Sequence, residues 1–368
     1  MKGQVTVQFN WIYVMVAGAA ILLFFIMIIT QQKDMSEKRL NYKVMNILEN
    51  IFTGSTVAEN TKNILDTSGV RSEVFQFRCE LDKNGGIYDV FSYYGIAGSS
   101  ASIESPLKVV VAPLNIQSSK MILWSMPYKL PFKVMDFLFV TSENTKYYVI
   151  SKEQSDFHVE LLNSTNGLNI EFIEDISEVE YNGDYHVRLI TLDSTSTDII
   201  HEGSVPQELS VLNNDQVSAV RFKSNTVLYY VKRGDQWFVE GGDEGSWTPL
   251  VGAGGERDAA VYAALFAGNA ESYRCNMMKA FKRLSLVSQV LQSKMDLMMD
   301  TYQDDPAKVG CYTILNEDPT IYRSLSMVAQ QCTSNYLLCS QEQLISMKND
   351  IYNLNQRLSF EGGCGRVY

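Results

Sequence analysis

The sequence predicts an α+β protein with a single N-terminal transmembrane helix, a mixed α/β ectodomain and a C-terminal, disulfide-stapled helical bundle. Three observations support this prediction. An uncharged apolar run occupies residues 9–30, and short strand-like segments follow one another through residues 70–250. Apolar residues then recur at three- and four-residue steps through residues 256–368, which also contain five of the six cysteines.

The apolar run has the sequence FNWIYVMVAGAAILLFFIMIIT and contains no charged side chain. As a helix it is about 33 Å long, enough to cross a hydrocarbon core of about 30 Å. Residues 31–56 continue with apolar positions spaced as in an amphipathic helix, and no proline interrupts them. We therefore expect one long helix, preceded by a short cytoplasmic or leader segment at residues 1–8. The lipid bilayer is its expected partner.

The first part of the ectodomain is expected to contain a short helix at residues 60–66. Residues 74–81 and 88–94 read as two strands, and Asn84-Gly85-Gly86 between them is typical of a hairpin turn. Small polar residues dominate residues 95–105, which predicts a loop or a mobile flap.

The middle of the chain is expected to contain at least one βαβ unit. Residues 146–150 and 168–173 are strand-like, and the stretch between them has helical spacing with a capping box at its start. Arg233-Gly234-Asp235 matches an adhesion tripeptide, but we interpret it as a hairpin turn. Further strands are predicted at residues 108–112, 121–124, 137–141, 185–192, 217–222, 227–232 and 236–240.

The C-terminal segment is expected to contain three helices. The first has Asp258 as its N-cap and a heptad seam over residues 277–302, the second covers residues 321–339, and the third covers residues 344–358. Helices joined by short breaks form antiparallel bundles, so the seam is expected to be internal core.

An even number of cysteines, clustered near the C-terminus, predicts disulfides and a compartment outside the cytoplasm. On one continuous helix Cys332 and Cys339 lie about 10.5 Å apart, beyond the roughly 7 Å limit between bridged Cα atoms. They are therefore expected to bond elsewhere unless the helix breaks between them, and full pairing requires Cys79 to bond back to the helical segment. The candidates are Cys79, Cys275, Cys311, Cys332, Cys339 and Cys364.

The segment Lys2-Gly3-Gln4-Val5-Thr6-Val7-Gln8-Phe9 resembles the class III processing signal of archaeal type IV pilins. The resemblance implies cleavage between Gly3 and Gln4, and assembly through the hydrophobic helix that follows. Thr6 stands where the family has serine, and Gln8 stands where it has the glutamate that helps subunits assemble. A short cytoplasmic tail before an uncleaved anchor is the alternative interpretation.

The body is similar to uncharacterised single-pass membrane proteins of archaea through Trp124-Ser125-Met126-Pro127 and the segment FLFVTS at residues 137–142. That similarity implies no function. Lysine and arginine after the apolar run favour a cytoplasmic body by the positive-inside rule. We give more weight to the cysteines and the pilin-like start, and expect a cytoplasmic N-terminus and an extracellular body.

Composition and motifs restrict the function. The formal net charge of −11 argues against nucleic acid as a partner. The three histidines, His158, His186 and His201, lie near no nucleophile motif, and no C-x-x-C pair occurs, so neither catalysis, a metal nor a cofactor is expected. Asn163 begins an N-glycosylation sequon.

The sequence thus predicts a non-enzymatic structural or adhesive surface protein, which the resemblance sharpens to a large pilin-like subunit that self-associates through its N-terminal helix. One alternative is an uncleaved, membrane-anchored binding component of a cell-surface complex. The other is an extracytoplasmic enzyme, which would require a deep pocket that gathers His186 or His201 with carboxylates.

Overall fold

The computed structural model describes residues 3–57, 62–70, 74–81, 87–94, 100–105, 108–151, 167–181, 183, 185–192, 204–223, 225–240, 248–251, 258–361 and 363–368. Residues 152–162 of the predicted crossover helix, the Asn84-Gly85-Gly86 turn, and the predicted site residue Asn163 lie outside these ranges. Within them, the fold is mixed α/β.

The helices are α1 (Gly3–Val57), α2 (Gln207–Ser210), α3 (Ala259–Phe266), α4 (Ala270–Gln303), α5 (Val309–Asn316), α6 (Ile321–Ser334) and α7 (Gln341–Phe360). The strands are β1 (Lys62–Asp66), β2 (Val74–Leu81), β3 (Ile87–Tyr94), β4 (Ser100–Ser105), β5 (Val109–Val111), β6 (Asn115–Ile116), β7 (Lys120–Lys129), β8 (Lys133–Ser142), β9 (Thr145–Ile150), β10 (Ile170–Ile173), β11 (His186–Thr191), β12 (Val217–Lys223), β13 (Thr226–Arg233), β14 (Gln236–Val239) and β15 (Thr248–Pro249).

The first helix, α1, is one continuous helix of 55 residues, as the unbroken apolar and amphipathic pattern predicts. Its segment Trp11–Gly54 is long and apolar enough to cross a membrane, judged by length and composition. It is the one helix with that property in the described part of the chain.

The strands form three sheets, which we call central, small and mixed. The central sheet has the order β1-β7-β8-β5, the small sheet β4-β3-β2-β6, and the mixed sheet β10-β9-β11-β12-β13-β14, with β15 also paired to β13. The β2–β3 hairpin is confirmed as an antiparallel pair. The parallel pairing of β9 with β10, which a βαβ unit requires, is also confirmed.

Strands β5, β7 and β8 of the central sheet are buried on both faces, which explains why they are near-continuous apolar runs. Trp124 of β7 and Phe139 of β8 stack at 5.2 Å on the face toward the mixed sheet and the C-terminal helices. Leu123 and Val140 lie on the opposite face, toward α1 and the small sheet. One hydrophobic core therefore joins strands of residues 109–251 to the C-terminal helices.

Two predictions in the first part of the body were wrong. Residues 62–66 form strand β1, not a helix, because they extend the central sheet by pairing with β7. Residues 100–105 of the predicted loop form strand β4, which pairs with β3. Its alternate residues Ala101 and Ile103 pack in the core that contains α1, so tertiary packing outweighs the low strand propensity of a small polar segment.

The long helix predicted from Asp258 is two helices. Asp258 does cap α3, since its side chain accepts a hydrogen bond from Ala260 N, but α3 ends at Phe266 and Asn269 caps α4. Between them Gly268 donates its N–H to Ala112 O at 3.0 Å. A Cβ at Gly268 would lie 2.6 Å from Leu114 N, so only glycine permits this contact.

The cysteines form three disulfides, Cys79–Cys275 (the sheet–helix disulfide), Cys311–Cys364 (the C-terminal disulfide) and Cys332–Cys339 (the loop disulfide). Cys79 bonds back to the helical segment as expected. The expectation that Cys332 and Cys339 bond elsewhere was wrong, because α6 ends at Ser334 and the chain turns back. Their Cα atoms come within 4.8 Å. The short helix α5, which carries Cys311, was not predicted.

Candidate functional sites: the N-terminal helix and the Arg188 pocket

The first half of α1, which we define as residues 11–30, is apolar and exposed. The seven consecutive residues from Ile21 to Met27 are each between 49% and 65% exposed. Seven residues span almost two turns of a helix and point in all directions around it. Since none of these seven residues packs on the body, their apolar surface is available in full to lipid or to other apolar helices.

The second half of α1 is seated in the protein. Met45, Leu48 and Phe52 follow one another at three- and four-residue steps and are buried. The Phe52 ring lies 5.5 Å from the Phe91 ring and 6.2 Å from the Phe77 ring, so it enters the space between α1 and the small sheet.

Not every apolar residue of the second half faces the body. Leu40 and Ile47 are exposed although both are apolar, whereas Met45 is buried. The helix therefore presents a narrower buried stripe than the sequence pattern suggested.

A polar contact fixes the end of α1. The ammonium of Lys108 donates to Thr53 Oγ1 and to Glu49 O, the latter at 3.4 Å, and lies 4.0 Å from the Glu49 carboxylate. Within one unbroken helix, α1 therefore changes from an exposed apolar segment to a segment that packs against the folded body. An exposed apolar helix of this length is able to lie in a bilayer or to pack among identical helices.

A second candidate site is a pocket of about 200 Å³ at the starts of the parallel strands β9, β11 and β12. It is lined by His186 and Arg188 of β11, Asp215 before β12, and Glu240 after β14. It therefore gathers His186 with two carboxylates, the arrangement that the enzyme hypothesis requires. His201 lies outside the described residues.

Arg188 is 5% exposed, and most of its guanidinium is engaged by the protein. Its Nη2 donates to Ala267 O at 2.9 Å, and its Nη1 donates to Gly268 O at 3.3 Å and to Ser218 Oγ at 3.0 Å. The cation thus caps the C-terminal end of α3, where a positive charge is favoured. Desolvation by burial lowers the pKa of Arg188.

Glu240 stabilises the N-terminal end of the next helix, α4. Its Oε2 accepts a hydrogen bond from Ala270 N at 2.9 Å, at the N-terminal end of α4 where a negative charge is favoured. Burial raises the pKa of Glu240 despite this bond and the charge of Arg188. Arg188 and Glu240 therefore stabilise the joint between α3 and α4 from its two sides.

His186 is half-buried in the same pocket. Burial lowers the pKa of His186, and the charge and backbone of Asp215 act in the opposite direction. This pocket lies at the amino ends of its parallel strands, whereas ligand sites of open α/β sheets are found beyond the carboxyl ends. No group of three or more possible metal ligands occurs among the residues whose placement the structure describes.

The predicted site residues that the structure describes lie at the start of α1 and in the three disulfides. Gly3 is the first residue of α1 and Gln4 follows it in the first turn, while the six cysteines are distributed over the three disulfides. The sequence reasoning missed Arg188 and Glu240. Arg188 could have been noticed, because it is the one charged residue in the apolar part of the strand-like run HVRLIT.

The chain was compared with protein-family models, curated proteins and solved structures, and no match was found in any of the three comparisons.

Proposed function

We propose that this chain is a structural or adhesive surface protein that its N-terminal helix anchors at the membrane, with its body outside the cytoplasm. More specifically, we propose that it is a large pilin-like subunit. Cleavage between Gly3 and Gln4 then frees the apolar half of α1, which packs against the same half of other copies. Burial of that surface supplies the driving force for assembly.

The observation that carries this proposal is the division of α1 at about residue 41. Residues 21–27 are apolar and exposed on every face, residues 31–40 are mostly polar, and after residue 41 Met45, Leu48 and Phe52 are in the core. A signal peptide destined for removal has no reason to continue, without a break, into a segment that the folded body requires. The helix is therefore expected to remain with the mature protein.

Two further observations support a body outside the cytoplasm. All six cysteines are paired, and the sheet–helix disulfide joins positions separated by 196 residues. Disulfides persist in oxidising compartments and are rare in the cytosol. The net charge of −11 is in keeping with a solvated outer surface.

The second candidate is an uncleaved anchor that displays the body as a component of a surface complex. The exposed half of α1 suits a single helix in lipid as well as it suits a bundle of copies. Cleavage and self-association separate these two candidates, and the experiment below measures both. The prediction that the chain is not an enzyme stays a prediction, and the engagement of Arg188 and Glu240 with helix ends supports it.

The experiment is mass analysis of the intact protein and of its N-terminal peptide, from native membranes, without and with reduction and thiol alkylation. A mature start at Gln4 and bonded cysteines, together with sheared filaments that contain the chain, are expected. Gly3→Val is expected to block cleavage and filaments, whereas the control Lys2→Arg keeps the basic residue and both properties.

An intact start at Met1 with bonded cysteines would favour the uncleaved anchor. Six freely alkylated thiols in the untreated protein would instead place the body in the cytoplasm and refute both candidates.

A further inference from the structure

A buried ion pair connects the small sheet to the helical segment. Lys279 Nζ of α4 lies 2.5 Å from Asp89 Oδ2 of β3, and the two side chains are 4% and 2% exposed. Two charges taken so far out of water are costly to keep unless they are neutralised or bonded. The proposed function assigns no role to this pair.

The sheet–helix disulfide holds the two partners against each other. Cys79 is directly opposite Asp89 in the β2–β3 ladder, so the two side chains lie on the same face of the small sheet. Cys275 precedes Lys279 by one turn of α4. The amine and the carboxyl are therefore positioned by the fold before any reaction, which removes most of the entropic cost of bringing them together.

The surroundings favour the uncharged forms of both groups. Burial raises the pKa of Asp89 to about 6, although the charge of Lys279 opposes this shift. Burial also lowers the pKa of Lys279, although the charge of Asp89 opposes that shift. An amine and a carboxylic acid do not condense in water, because they ionise to ammonium and carboxylate; here transfer of one proton restores the reactive pair.

Two further groups act on the carboxyl. The backbone N–H of Val110 donates to it, and the positive charge of Lys108 acts on both Asp89 and Lys279. An N–H donor and a nearby cation are the elements that stabilise an oxyanion at the attacked carbon. The site also excludes water, which is the product that condensation releases.

We propose that Lys279 and Asp89 condense to an intramolecular amide that links β3 covalently to α4. The neutral Lys279 Nζ attacks Asp89 Cγ, the C–N bond forms, and the C–OH bond breaks. One amine proton leaves with the hydroxyl as water, so atoms and charge balance without an oxidant or a further reactant. The product removes both buried charges and adds a cross-link that reductants do not open.

The test is the mass of the wild-type full-length chain after complete reduction and alkylation of its cysteines. We expect a mass one water lower than that of the sequence, and a proteolytic product in which the peptides that contain Asp89 and Lys279 are joined. Lys120 and Glu143 form an exposed ion pair at 3.1 Å and serve as the internal control, because their peptides should remain separate.

Asp89→Ala and Lys279→Arg should each restore the full mass, and the second keeps the positive charge. Because the wild type decides the outcome, a variant that fails to fold does not affect the test. A full-mass wild type would overturn the proposal, and so would a loss of water that maps to any other residue. The N-terminal peptide reports the proposed function separately, so either proposal can fail alone.

Discussion

Truncating Phe52 is the sharpest test of how α1 is held. The side chain is completely buried and contacts two aromatic rings of the small sheet, and its neighbours on the same face of α1 are Met45 and Leu48. Phe52→Ala would leave a cavity between a helix and a sheet. The change is expected to lower the free energy of unfolding by about 3–5 kcal/mol.

The matched control is Leu40→Ala on the same helix. Leu40 is 60% exposed, so its truncation should change the free energy of unfolding by less than about 0.5 kcal/mol. Both variants keep residues 9–30, so both should distribute between the membrane and soluble fractions in the same way as the wild type.

The assay is urea unfolding of the full-length protein in detergent micelles, followed by tryptophan fluorescence. Trp124 is buried in the central sheet and reports the body. Equal transition midpoints for the Phe52 and Leu40 variants would refute the packing of the second half of α1 against the body. The division of α1 into a free half and a packed half, on which the proposed function depends, would then be wrong.

Three further predictions concern the body. Replacing both cysteines of the C-terminal disulfide by serine should lower the free energy of unfolding by about 4 kcal/mol, against about 2 kcal/mol for the loop disulfide, because the loops they close differ in length, with sequence separations of 53 and 7 residues; urea unfolding measures both. Arg188→Met should lower the free energy of unfolding by about 2–4 kcal/mol, because the carbonyls of Ala267 and Gly268 lose their hydrogen-bond donor. The control Arg233→Ala, at an exposed position, should lower it by less than about 0.5 kcal/mol in the same assay. The pKa of His186 is lowered in the folded state, so its contribution to stability is present above its unfolded pKa of about 6.5 and is lost as the pH falls through the folded pKa. His186→Gln should therefore make the free energy of unfolding fall less steeply below neutral pH. An unchanged slope of that free energy against pH would contradict this prediction.

Long periodic signals in the sequence predicted the fold best. The helix α1, the β2–β3 hairpin and most strands of the central and mixed sheets follow directly from apolar runs and turn residues. The errors lie where tertiary contacts decide the structure. Strand β1 exists because β7 offers it an edge, and strand β4 exists because Ala101 and Ile103 pack in the core beside α1. Neither partner is visible in the local sequence.

The candidate sites were predictable to different degrees. The apolar half of α1 is a property of composition, so the sequence alone identified it. The Arg188 pocket depends on residues from β11, β14 and the α3–α4 joint, which only the folded chain brings together. The pairing of Cys332 with Cys339 depended on where α6 ends, and periodicity continued past that end.

The continuity of α1 also determines how the body is carried. A helix of 55 residues is a rod of about 80 Å, and here it has no hinge between the half that is free and the half that is packed. Whatever grips the free half sets the tilt and the rotation of the whole body. In an ordered array, every copy would therefore present the same face to its surroundings, and a pull on that face would pass along the helix axis directly to its base.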